Sequence, residues 1–196
     1  DGSEAAPGEV GELVVSQPPM GLTPAIWGDR QRYLETYWST FPGVWRHGDW
    51  VRRDPDGTWY ILGRSDDTLN IAGKRIGPPE IEAALTETGE VVDAAAIAAP
   101  DDIKGVAVVC ICVAAPGVTP DAALVDRLKD RVGEVVSKPF RPREIHFVEA
   151  LPKTRSMKTM RRIVRAAYLG EDPGDLSSVS NPETMQPIAD LRKETP

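Results

Sequence analysis

Apolar positions along this chain change period several times, and each change predicts an element. Positions 9–16 carry Val10, Leu13 and Val15 among polar neighbours and read as a strand. A Pro/Gly-rich loop follows over 17–27, and 29–37 has helical spacing with Tyr33, Leu34 and Tyr37 on one side. Asp54-Pro55-Asp56-Gly57 is a strong turn signal between the runs 49–53 and 58–62, so those runs form a hairpin. Trp59 to Leu62 is a short apolar strand that Gly63 interrupts. Leu69 and Ile71 alternate again, Ala72-Gly73-Lys74 reads as a tight hairpin turn, and Ile76 resumes the apolar pattern.

Beyond that hairpin the pattern lengthens. Pro78-Pro79-Glu80 opens a helix with Ile81, Ala84 and Leu85 as its stripe. The β-branched runs 91–97 and 106–113 are strands. Thr119 is the expected N-cap of a helix with Pro120 at its first position, and Leu124, Leu128, Val132 and Val135 form its buried face. Positions 144–148 make a third strand, and 159–169 a short basic helix. Residues 170–180 read as linker, and Asn181-Pro182-Glu183 starts a short helix reaching Arg192. Strand-strand-helix-strand with flanking helices is a small α+β domain.

Composition narrows the classes. The 196 residues are 41% hydrophobic and 27% charged, as in an ordinary one- or two-domain protein. A formal net charge of −7 argues against a general nucleic-acid binder, and no apolar run is long enough to span a bilayer. No membrane partner is expected. Cys110 and Cys112 lie two apart in a strand pattern and point the same way, so free thiols in a reducing cytoplasm are expected rather than a disulfide or zinc site. The five tryptophans all precede residue 60 and are read as packing and interface surface. A first residue of Asp1 and no phosphate-binding loop suggest a fragment or processed chain.

Two stretches carry candidate chemistry. Taken alone, Gly63-Arg64-Ser65-Asp66 and the hairpin after it read as a charged surface loop between strands. Far downstream stands Pro152-Lys153-Thr154-Arg155-Ser156-Met157-Lys158. Together they resemble the adenylate-forming superfamily, which activates carboxylic acids with ATP. The hinge motif there resembles Gly63, Arg64, Asp66, Gly73, Arg75 and Ile76, and the terminal motif resembles residues 152–158. Gly48-Asp49 is similar to a third motif. Asp66-Asp67-Thr68-Leu69-Asn70 is most like the acetyl-CoA synthetase branch. Met157 departs from the pattern, which has glycine there.

The resemblance implies a division into 1–64, the β-rich end of a large N-terminal domain; 65–170, a mobile C-terminal lid; and 171–196, a linker and short helix. It implies an AMP-forming acyl-CoA synthetase acting on acetate or another short acid, with ATP, coenzyme A and Mg2+, the magnesium ligands being expected before residue 1. An adenylation domain that loads a carrier protein, or an isolated CoA- or partner-binding module, is the alternative. Implied roles are catalysis for Lys158, nucleotide binding for Asp49, Arg64 and Arg75, coenzyme A binding for Ala72 and Gly73, and a hinge at Asp66. His47 and His146 are expected to be structural, and Ser156 has no His/Asp partner motif for nucleophilic catalysis.

Overall fold

The computed structural model describes residues 2–71, 73–102 and 105–192. It divides into two compact units, Asp1–Asp66 and Asp67–Pro196. The first is built on an antiparallel sheet, β1 (Val10–Val15), β2 (Trp45–Arg53) and β3 (Trp59–Arg64), in that order. The Asp54–Gly57 turn closes the β2–β3 hairpin through Asp54 N–H to the Thr58 carbonyl at 2.9 Å. Helix α1 (Arg30–Tyr37) starts where the Asp29 carboxylate accepts from Arg32 N–H at 2.9 Å, satisfying one of the orphan donors of a helix start. Gly63 does not end its strand. It pairs with Trp50 beside a register shift, with φ 125°, so the interruption expected there is a bulge inside β3.

The second unit opens with the hairpin β4 (Leu69–Ile71) and β5 (Lys74–Ile76), in register Leu69 to Ile76 and Asn70 to Arg75. Leu69, Ile71 and Ile76 are buried while Asn70 and Arg75 are exposed, the period-two split a half-buried ribbon requires. Helix α2 (Pro78–Thr86) follows, then β6 (Val91–Asp101) and β7 (Gly105–Ala114) as an antiparallel pair. Helix α3 (Ala122–Val135) leads to β8 (Glu144–Phe147), parallel to β7, and α4 (Arg161–Leu169) comes after it. The cap of α3 is Asp121, whose carboxylate accepts from Leu124 N–H at 2.7 Å, and not Thr119. Pro120 precedes the helix instead of opening it, because the Asp121 side chain, two residues closer to the first turn, takes the Leu124 N–H.

The β6–β7–β8 sheet is covered on both faces, and the alternation of its strands assigns each residue. Ala94, Ala96, Val108, Cys110 and Cys112 pack with Ile81, Leu85, Leu124 and Leu128 of α2 and α3. Ala95, Ile97, Val109 and Ile111 pack with Val164, Tyr168 and Ile188 on the other side. Burial on both faces is why these strands read as continuous apolar runs. Cys110 and Cys112 are free and buried, and burial pushes the Cys112 thiol up to about 12. Ile188 belongs to α5 (Met185–Leu191), preceded by a 3-10 turn at Pro182–Thr184. The C-terminal stretch is therefore part of the domain's core. No helix among the described residues is long and apolar enough to cross a membrane.

Candidate functional site

In the first unit, three predicted residues fall together because β2 and β3 pair Asp49 with Arg64. Asp49 is buried at 9% exposure. Its carboxylate pairs with His47 Nδ1 and lies 3.9 Å from Arg64 Nη1. Arg64 bonds Asp66 through both Nε and Nη2, at 3.0 and 3.3 Å. Burial pushes the Asp66 carboxyl up, but the Arg64 hydrogen bonds and charge outweigh it, and the net shift is downward. The guanidinium lies over Gly48, whose φ is +89° and where a Cβ would stand 2.8 Å from Arg64 Nη2. The backbone conformation at 48 favours glycine, and a Cβ there would also oblige the flexible end of Arg64 to shift. Next to the cluster, Arg46, Glu12 and Ser65 form a second network, with Arg46 Nη2 donating to Ser65 Oγ at 2.6 Å.

In the second unit, Gly73 is at the turn of the β4–β5 hairpin and Arg75 lies on its exposed face. Ala72 lies outside the described residues. Lys158 closes a small hairpin loop. Lys153 bridges Thr159, Thr154 N–H donates to the Lys158 carbonyl at 2.9 Å, and Lys158 N–H returns to Thr154 Oγ1 at 3.1 Å. The Lys158 side chain is exposed, and among the described residues no acidic group is shown pairing with its ammonium. Lys153, by contrast, is committed to Asp93 at 2.7 Å.

Met157 adopts φ 63° at the turn of this loop. That is the left-handed region, which costs a residue with a Cβ roughly 1–2 kcal/mol. The loop thus keeps a glycine-type conformation without a glycine, and Met157 is 68% exposed, so little packing compensates. Met157→Gly is expected to raise stability by about 0.5–1 kcal/mol, the released strain being partly offset by the freer unfolded chain. Thermal melting should show a rise of about 2–4 °C. A lower melting temperature would mean that the methionine side chain is held by contacts and not strained.

Sequence reasoning did not single out Glu82 and Arg161. Arg161 clamps Glu82 with Nε and Nη2 at 2.6 and 2.5 Å and lies 3.6 Å from Asp67. Glu82 also accepts from the Ala96 N–H at 3.0 Å. The Glu82 hydrogen bonds hold the Arg161 guanidinium above its ordinary pKa. This bidentate pair joins the start of α4, three residues past Lys158, to α2, to β6 and to the first residue of the unit. The one sequence hint was an acidic residue beside the apolar stripe of α2. Another network at β8 joins Glu144 to His146 at 2.9 Å, Tyr168 at 2.7 Å and Arg143 at 2.6 Å.

The second unit thus carries an exposed Lys158 on a short ladder beside a three-stranded sheet covered on both faces. Residues 80–158 match the family described as AMP-binding enzyme C-terminal domain, and this part of the chain belongs to that family. The chain is 38% identical over 95% of its length to the acetyl-coenzyme A synthetase of Pyrobaculum aerophilum, of which it covers 28%. It is 40% identical over 99% of its length to that of Chlorobaculum tepidum, of which it covers 29%. Among solved structures, acetoacetyl-CoA synthetase from Streptomyces lividans superposes with a TM-score of 0.85 at 31% identity, over 97% of this chain and 29% of that one. The chain thus spans under a third of the length of these relatives.

Proposed function

We propose that this chain is the carboxy-terminal portion of an ATP-dependent, AMP-forming acyl-CoA synthetase that activates acetate or another short-chain acid. Residues 1–64 then end a large N-terminal domain, 65–170 form the mobile lid, and 171–196 append to it. The observation that carries the reading is Lys158, exposed on a hydrogen-bonded loop of a domain whose relatives are named acyl-CoA synthetases. In the first step the substrate carboxylate attacks the α-phosphorus of ATP and pyrophosphate leaves. In the second, the thiol of coenzyme A gives up its proton and attacks the acyl carbon, and AMP leaves.

Each residue's role follows from its chemistry. Both reactants of the first step are anions, and the Lys158 ammonium offsets the charge where they meet. Asp49, a carboxyl acceptor in a largely buried place, takes hydrogen bonds from the ribose hydroxyls. Arg64 reaches ribose or phosphate by exchanging part of its contact with Asp66, which an exposed pair permits at little cost. Arg75 meets phosphate, and Gly73, with no side chain, leaves room for the pantetheine arm. Asp66 is the hinge. Among the described residues no group of three or more His, Cys, Asp or Glu is placed to hold a metal ion. The test is acetate-dependent pyrophosphate exchange and CoA-dependent release of AMP by the complete enzyme. Exchange without CoA-dependent release, but with loading of a carrier protein, would overturn the assignment.

A further inference from the structure

The Lys158 loop is short of internal support. Its own ladder is one bridge, Lys153 to Thr159, with Met160 N–H donating to the Pro152 carbonyl and Met157 N–H to the Thr154 carbonyl, both at 2.9 Å, besides the Thr154 and Lys158 hydrogen bonds described above. Two-stranded hairpins of this size are marginal in water. A segment of the C-terminal tail lies on the other side of Lys153 and Thr154. Thr154 bridges Val179, and Ser180 N–H donates to the Lys153 carbonyl at 2.8 Å. Asn181 completes the attachment with both ends of its amide. Its Oδ1 accepts from Lys153 N–H at 2.8 Å, and its Nδ2 donates to the Leu151 carbonyl at 2.9 Å. Lys153 therefore has its N–H and its carbonyl both held by the tail, while its ammonium is held by Asp93.

The tail itself is anchored independently of these bonds. Ile188 is fully buried against Leu151, Val164 and Tyr168. Arg162 donates to the carbonyls of Pro173 and Asp175, and Arg192 to that of Leu169. A fixed segment bonded along Lys153 and bridged to Thr154 supports a hairpin that is marginal by itself.

We propose that the tail is a brace that sets the position of the Lys158 loop, with Asn181 as its positioning residue. The consequence for catalysis rests on the reading of Lys158 given above; the brace itself does not. Displacing a charged group by an ångström can cost as much as ~10²-fold in rate. Loss of the brace should therefore fall on the half-reaction that uses Lys158 and spare the other.

Two arms test this. Hydrogen exchange on the 196-residue chain compares wild type, Asn181→Ala and Ile81→Val. Ile81 is fully buried on the opposite face of the sheet, so its substitution lowers stability without touching the brace. Asn181→Ala is expected to speed exchange of the Lys153, Thr154 and Lys158 amides about 10-fold relative to β7 amides, a local opening. Ile81→Val should leave that ratio unchanged. In the complete enzyme Asn181→Ala should lower pyrophosphate exchange about 10-fold and change thioester formation from supplied acyl-adenylate less than about 2-fold. Unchanged protection of the loop amides in Asn181→Ala would overturn the brace. So would an equal change of the ratio in Ile81→Val, which would make Asn181 only a stability residue. Failure of the functional reading is seen separately, as wild-type pyrophosphate exchange in Lys158→Ala.

Discussion

Lys158→Ala in the complete enzyme is expected to lower acetate-dependent pyrophosphate exchange by ~10²–10³, while thioester formation from supplied acyl-adenylate stays within a few-fold of wild type. The size follows from the charges. A carboxylate and a triphosphate repel as they approach, and the negative charge between them is greatest in the transition state. A preorganised ammonium stabilises that state more than the separate reactants, which is the condition for raising a rate. The thioester step begins from a neutral acyl carbon and a thiol, and makes no such demand on this group. The substitution should leave the fold intact, because the loop is held by the Lys158 backbone and Thr154, and the side chain is exposed. Lys158→Arg keeps the charge but spreads it over a planar fork, and should recover only part of the loss. Equal loss of both half-reactions, with an unchanged melting temperature, would show that Lys158 serves the lid as a whole and not adenylation.

How much of this was legible in the sequence depended on distance along the chain. The β4–β5 hairpin could be read because its period is two and its turn is local. The continuous apolar runs of β6 and β7 announced strands, and the same-face placement of Cys110 and Cys112 followed from the same period. Local rules also misled. Gly63 signals a break, yet a glycine inside a strand equally marks a bulge, and only the pairing with Trp50 decides. Thr119 and Asp121 both fit a cap, and the register of α3 chose the stronger acceptor.

What the sequence hid were pairings between distant residues, which leave no period. Lys153 meets Asn181 across 28 positions, and Arg161 meets Glu82 across 79. The segment after Gly170 looked like linker because its residues are small and polar. Its structure comes from being paired on one side by Thr154 and anchored at one end by Ile188, neither of which composition can express. The site residues divide in the same way. Motif spacing picked out Lys158 and Arg64, but that Arg64 would lie over Gly48 and beside Asp49 is a property of the β2–β3 register.

Asp66→Pro is expected to keep one half-reaction near its wild-type rate and reduce the other by at least ~10-fold in the complete enzyme, through loss of backbone freedom at one residue. Asp66 is the last residue of the first compact unit, and Asp67 the first of the second. If the lid serves adenylation through Lys158 and thioester formation through the Gly73 hairpin, it must take two orientations. Those elements belong to different parts of the second unit: the hairpin precedes α2, while the Lys158 loop is tied to Asp93 and the tail. A rotation shared by few bonds falls on the residues between the units. Proline fixes φ near about −65° and removes that freedom. The substitution also deletes the carboxylate that Arg64 holds, so Asp66→Ala is the necessary companion. It removes the same exposed ion pair, an interaction worth only about 0–1 kcal/mol, and leaves φ free. Asp66→Ala should retain both half-reactions within a few-fold, and Asp66→Pro should separate them. Pyrophosphate exchange and CoA-dependent AMP release, measured beside thermal melting, distinguish the cases. Both rates near wild type in Asp66→Pro would mean that the rotation is absorbed elsewhere. The same split in Asp66→Ala would place the effect in the Arg64 contact rather than in the backbone.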